Sequence, residues 1–332
     1  MISKWSSPNR IWAALIATAL LSTTARSQEP SGATEHILLS EALTVRVMDP
    51  NHAQRYNQGP RFSTVAAVLQ VSQNGREFLY CPAEHDVLRD GAGLFGEFDI
   101  LTDGGPPGFS EAGVGDQFVK IGVGVLQKDA EKYDFYAPAK IVMRAQTTVV
   151  WKNDAATFHQ TCQGVNGYSY DLEANIVVEG VRLRLQWKLT NTGKKAFATE
   201  HYVHNFFSLG GAPVGPGYRL AFSQPARSVI EQGSDRDGLS WTKSEISFDA
   251  TIRNHVNILL SEPQPGGLSL AASQRESGLK ITVDSTAPVI RTFVHATSRY
   301  LCPEQFVRIS LQPCESYVWS RGYDFSASRE SE

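Results

Sequence analysis

Apolar and polar residues alternate with period two along much of this chain. The clearest run is residues 181–189, where Val181, Leu183, Leu185, Trp187 and Leu189 alternate with Arg182, Arg184, Gln186 and Lys188. Successive side chains of a strand point to opposite faces, so the run predicts a strand with one buried and one wetted face. Asn191-Thr192-Gly193 follows it as a turn. Similar runs predict strands over residues 42–47, 64–71, 118–125, 140–150, 175–178, 199–207, 256–260, 278–283, 289–296, 306–311 and 316–319. Asn74-Gly75, between apolar segments, has the chemistry of a type I′ hairpin turn. No long stretch after residue 27 carries apolar residues at helical spacing. Many short strands with closely spaced turns predict an all-β chain, built as a large antiparallel β-sandwich. Neither an internal repeat nor a low-complexity linker divides residues 28–332, so they read as one domain.

The first 27 residues stand apart. Lys4 and Arg10 make a basic start, residues 11–21 are apolar, and Ala25-Arg26-Ser27 puts small residues where a signal peptidase reads. Residues 1–27 are therefore expected to be a signal peptide, and the protein to be exported to the periplasm or beyond. No later run approaches the ~18 apolar residues of a spanning helix, so no membrane association is expected after its removal. The 31 basic and 34 acidic residues give a net charge of −3, with no block of like charges. Phosphate backbones demand a concentrated basic face, so nucleic acid is excluded as the main partner, and a small, neutral or weakly polar molecule fits better. The four cysteines form no CxxC pair, which argues against a thiol-rich zinc site. In an exported chain they permit disulfides, with Cys302–Cys314 one candidate pair.

Three stretches carry more specific information. Thr199-Glu200-His201-Tyr202-Val203 runs into His204-Asn205-Phe206-Phe207-Ser208-Leu209; Cys302-Pro303-Glu304-Gln305-Phe306 precedes Gln312-Pro313-Cys314-Glu315; and Gly59-Pro60-Arg61-Phe62 precedes Asn74-Gly75-Arg76-Glu77-Phe78. Together they resemble the aldose 1-epimerase (galactose mutarotase) superfamily, over residues 40 to 325. The resemblance implies a galactose mutarotase-like sandwich that interconverts the anomers of a free sugar, with His204 as general acid, Glu304 as general base and no cofactor or metal. Two departures point to a divergent branch. Cys314 stands where the family has glycine, and the second, substrate-orienting histidine of the first half is not found, His159 lying too close to Gly167-Tyr168 to serve.

The residues support this chemistry on their own terms. Mutarotation needs a base for the anomeric hydroxyl and an acid for the ring oxygen, expected on opposite sides of the sugar and each contributing about 10²–10⁴-fold. On a strand, Glu200, Tyr202, His204 and Phe206 share one face, while His201 and Val203 point the other way. That face would offer Glu200 and Tyr202 to a sugar beside His204. Arg61 and Lys120, the latter a charge in an apolar, glycine-rich strand, are further candidates for orienting the substrate. Glu200, His201 and His204 do not make a metal site, because the two histidines of a strand face apart. No GxSxG elbow supplies a serine nucleophile. The expected partner is a small sugar or a glycan end. Two alternatives use the same sandwich: a non-catalytic carbohydrate-binding protein, and a lyase or isomerase acting on a glycan.

Overall fold

A computed structural model describes residues 34–99, 104–224, 228–230, 234–236, 238–260 and 269–328. The expected signal segment, residues 1–27, lies outside the described residues. Two large antiparallel sheets pack face to face. The first runs, in spatial order, Glu35–Leu39, Thr44–Met48, Val68–Gln73, Leu94–Phe98, Phe197–Asn205, Leu301–Leu311, Arg291–Ala296, Val256–Leu260 and Ser228–Ile230, with Arg76–Glu77 paired to Val68–Gln73. The second runs Leu239–Trp241, Glu245–Phe248, Tyr218–Phe222, Leu270–Gln274, Leu279–Ser285, Ser316–Ala327, Arg182–Asn191, Tyr168–Glu179, Ala155–Val165 and Gln146–Trp151. A small sheet of Gln117–Lys120, Gly124–Gln127 and Ile141–Arg144 stands beside them.

Period-two patterning accounts for the core. Leu183, Leu185, Trp187 and Leu189 are buried while Arg184 and Gln186 between them are exposed. Val181 falls outside the strand and is exposed, since the chain turns there. Trp187 pairs with Trp319 on the adjacent strand, and the rings stack at 5.9 Å against His201 of the first sheet. The Asn74-Gly75 turn closes its hairpin with positive φ at both residues, as a type I′ turn requires. The strand predicted over 140–150 is two strands. At Ala145 the backbone N–H turns to the carbonyl of Val123, so Ile141–Arg144 joins the small sheet and Gln146–Trp151 the second.

The cysteines are all free. Cys302 and Cys314 cannot pair, because the eleven-residue strand Leu301–Leu311 separates them and holds them about 30 Å or more apart, several times the reach of a disulfide. Cys314 itself adopts φ +69°, the left-handed conformation that glycine takes most easily.

Candidate functional site

The site is written in the pairing of three neighbouring strands. Phe197–Asn205 lies between Leu94–Phe98 and Leu301–Leu311. On one side Tyr202 pairs directly with Glu97 and His204 with Phe95. On the other, Glu200 pairs with Arg308, and beyond the strand Phe207 bridges Leu301. Carrying that register through the intervening residues sets His204 opposite Glu304. The ladder loosens there: Pro303 has no N–H to give, and Asn205 instead donates its side-chain amide to the Pro303 carbonyl at 2.5 Å. Side chains opposite one another on a sheet are contact neighbours. Glu97, Tyr202, His204 and Glu304 therefore form one row on the face turned away from the second sheet. His201, one residue out of step, points into the inter-sheet core and accepts a hydrogen bond from Trp319 Nε1 at 2.9 Å.

His204 is held at both nitrogens. Nε2 lies 2.9 Å from Glu97 Oε2 and 2.9 Å from Tyr202 Oη, while Nδ1 lies 2.7 Å from Glu304 Oε1. Glu97 Oε2 also accepts from Tyr202 Oη at 2.6 Å and Arg61 Nε at 2.9 Å. Arg61 Nη2 approaches His204 Nε2 to 3.4 Å, the two donors being drawn together by the carboxylate they share. Glu97 is fully buried. Burial alone would raise its pKa, but Arg61, the His204 hydrogen bond and Lys120 outweigh that and hold it at about 2. Burial would by itself lower the pKa of His204. Glu304 and Glu97 reverse the effect and raise it, so the imidazolium persists above the usual histidine range.

Above this row opens a cavity of about 840 Å³. His204 and Glu304 form part of its floor, with Phe206 and Phe306 beside them. Phe206 stacks on the His204 ring at 5.4 Å, and Phe62 meets it edge-on at 5.0 Å. Arg291, Phe293 and His295 project from the next strand, and Asn257, bonded to His295 Nδ1 at 2.7 Å, from the one after. Aromatic walls with a few convergent polar groups are what a sugar site needs: ring faces for its C–H surface and hydrogen-bonding groups for its hydroxyls.

The expected site residues divide into two groups. His204, Glu304 and Arg61 line the cavity. Tyr202, Lys120 and Glu200 do not, and the structure corrects their expected direct contact with substrate. Tyr202 is fully buried behind His204, stacked on Phe306 at 4.2 Å. Glu200 is fully buried, with Arg291 and Arg308 on its two oxygens. Lys120 is also fully buried, its Nζ bonded to the Phe98 carbonyl and 5.4 Å from the Tyr133 ring. The sequence argument that Lys120 requires a partner holds, but the partner lies within the protein.

Beside Lys120, Asp99 accepts from Thr199 Oγ1, while its Oδ2 has no partner among the described residues. Burial pushes Asp99 up to about 6, against the pull of Lys120 and Thr199. His204 and Glu304, expected as acid and base, also differ from expectation in placement: they touch rather than face each other across a cleft. Glu97 went unpredicted, although a lone carboxylate in Leu-Phe-Gly-Glu-Phe carries the same signal as Lys120. His159 lies on the exposed face of the second sheet, one strand in from its edge, paired to Asp171 at 2.6 Å. The first-half histidine at the cavity is His85, whose Nε2 meets the Tyr56 carbonyl at 3.0 Å and whose Nδ1 is unpartnered among the described residues.

Metal-ligating atoms gather at one place among the described residues. His204 Nδ1, Cys302 Sγ and Glu304 Oε1 lie within 4.8 Å of one another. Cys302 Sγ is 3.4 Å from Glu304 Oε1, and burial raises its pKa well above the ordinary thiol value, so the sulfur carries its proton as a donor to the carboxylate.

No family's sequence model matches the chain, and no curated protein matches it. Its fold, however, is that of galactose mutarotase-like proteins. An Escherichia coli protein described as a candidate aldose 1-epimerase superposes with a TM-score of 0.59 at 14% identity, covering 89% of this chain and 99% of its own. A protein from Synechocystis sp. PCC 6803 gives 0.58 at 13% identity, covering 89% and 96%. A galactose mutarotase related enzyme from Lactobacillus acidophilus gives 0.55 at 11% identity, covering 89% and 98%.

Proposed function

We propose that the protein is a sugar isomerase of the aldose 1-epimerase type, with His204 as general acid and Glu304 as general base. The observation that carries this reading is the 2.7 Å contact between His204 Nδ1 and Glu304 Oε1 on the floor of an aromatic-walled cavity. The anomeric and ring oxygens of an aldose share one carbon and so lie closer together than two hydrogen-bonded atoms. An acid and a base standing side by side can therefore serve both at once. Glu304 takes the proton of the anomeric hydroxyl, and His204 gives its Nδ1 proton to the ring oxygen as the bond from that oxygen to C1 breaks and the carbonyl forms. Rotation about the C1–C2 bond presents the other face, and the reverse transfers close the ring. The reverse transfers return Glu304 to the carboxylate and His204 to the imidazolium, so the cycle closes with no net change in the protons the dyad holds.

Arg61 would orient the sugar from beside His204, with its charge balanced by Glu97. Tyr202, Lys120 and Glu200 would act by fixing the row and its surroundings. The N-terminal pattern favours export, and with it an unphosphorylated sugar. Amino-terminal sequencing of the protein from an exporting host should then begin near Gln28.

The test of the activity is polarimetry or anomer-resolved NMR on freshly dissolved α-glucose, α-galactose and other free aldoses. Acceleration over buffer that falls about 10²–10⁴-fold in His204→Asn and in Glu304→Gln is expected. An absence of acceleration across the panel overturns the reading.

A further inference from the structure

A second cleft, of about 520 Å³, adjoins the first, and Arg61, Arg89, Phe135 and Tyr136 line both. Its charge is one-sided. Arg61, Arg89 and Arg144 line it, and no acidic residue does among the described residues, in a chain whose net charge is −3. Arg61 is compensated by Glu97. The other two are not: the Arg89 side chain has no partner among the described residues, and Arg144 donates only to the Gln58 carbonyl, at 2.6 Å. The acids nearest in sequence to Arg89 are engaged elsewhere. Asp86 accepts from the Leu88 amide at 2.9 Å and Asp90 from the Asp86 amide at 3.1 Å. Phe135 and Tyr136, also in the lining, form a tilted pair 4.1 Å apart, with Tyr136 57% exposed. The Arg61 guanidinium lies 4.7 Å from the Tyr136 ring.

Two arginines without carboxylate partners lining one cleft with an exposed tyrosine suit a ring that bears an anionic group. Arg61 lines this cleft while its Nη2 lies 3.4 Å from His204, so a single side chain spans the gap between the acid–base pair and the side cleft. We propose that the side cleft is a subsite for an anionic sugar unit, so that the substrate is an acidic oligosaccharide whose reducing end lies at His204 and Glu304. The next unit stacks on Tyr136 and places its carboxylate, or a sulfate in the same position, between Arg89 and Arg144. The identity of the reducing-end reaction rests on the epimerase reading; the binding of the anion does not.

Calorimetry with the intact protein separates the two. A uronate trisaccharide, a sulfated trisaccharide and a neutral trisaccharide are titrated into the parent, Arg144→Gln and the double variant with Arg89→Gln. The parent should bind at least one anionic ligand about tenfold to hundredfold tighter than the neutral one, with a preference that shrinks as salt is added. The larger gain tells whether a carboxylate or a sulfate fills the subsite. Arg144→Gln should weaken the preference and the double variant abolish it, while Arg144→Gln leaves conversion of free glucose and the melting temperature unchanged. Equal binding of charged and neutral trisaccharides, or a preference that survives the double variant, overturns the proposal even if free glucose is converted. Anion-selective binding without any anomer conversion would keep the subsite and remove the epimerase reading instead.

Discussion

Glu97 and His204 stand on adjacent strands with Oε2 and Nε2 2.9 Å apart. This contact turns the imidazole so that its other nitrogen faces Glu304. A histidine between two carboxylates is favoured as the imidazolium, the form that can protonate a ring oxygen. Because its pKa is raised, the acid form is complete below the ordinary histidine value and disappears as pH climbs through the elevated one. Activity should therefore hold through neutrality and fall on an alkaline limb.

Glu97→Gln tests the arrangement. Removing one charged hydrogen bond should lower kcat about tenfold to hundredfold, leave KM little changed and move the alkaline limb to lower pH. A lower kcat with an unmoved limb would make Glu97 a packing residue only.

Asp99 gives the opposite kind of pH dependence, in stability. Its folded pKa of about 6 lies above the ordinary 3.8. Between these values the folded protein holds a proton on Asp99 that the unfolded chain has released, so the contribution of Asp99 to stability falls as pH rises from about 4 to about 6, by of order 2–3 kcal/mol. Urea unfolding across that window should show the parent losing stability relative to Asp99→Asn as pH rises, since the other titrating groups are common to both; a difference that stays constant with pH would remove this role of Asp99. The depressed Glu97 acts below it: its contribution is present above the ordinary carboxylate pKa of 4.5 and is lost as pH falls towards about 2.

Cys314→Gly should stabilise the protein. A non-glycine residue at φ +69° costs about 1–2 kcal/mol, part of which glycine returns through its freer unfolded chain. A net gain of about 0.5–1 kcal/mol, read from chemical denaturation, is expected. A loss would mean that the Cys314 side chain makes a contribution of its own.

The thiols should respond in order of access. With no reductant, the denatured protein should titrate as four thiols, since all four cysteines are free. In the native protein Cys314, which is exposed, should react with an alkylating reagent first. Cys302, fully buried and held protonated, should resist until unfolding. Rapid native labelling of Cys302 would show that the floor of the cavity opens.

Alternation made the Arg182–Asn191 strand readable, and it also separated His204 from His201, since only one face of Phe197–Asn205 meets the second sheet. The same rule could not find Leu94–Phe98. All five of its residues are buried, so no polar beat marks the strand, and Glu97 went with it. Lys120 shows the converse error: the charge was noticed, but a sequence does not reveal whether its partner is a ligand or the protein's own carbonyl. His85 was out of reach for another reason. It arrives on an irregular segment, and loops come to a cavity by folding back rather than by any period.

The row Glu97–Tyr202–His204–Glu304 also determines which changes in chain length the protein can absorb. Extra residues in the surface turn at 275–278 displace nothing at the site. One extra residue between Leu301 and Glu304 would turn the carboxylate through the sheet, away from the cavity and into the core, and leave the imidazole facing a proline. Insertions and deletions should thus be tolerated better in the first place than in the second, where a change that replaces no residue still removes Glu304 from the site.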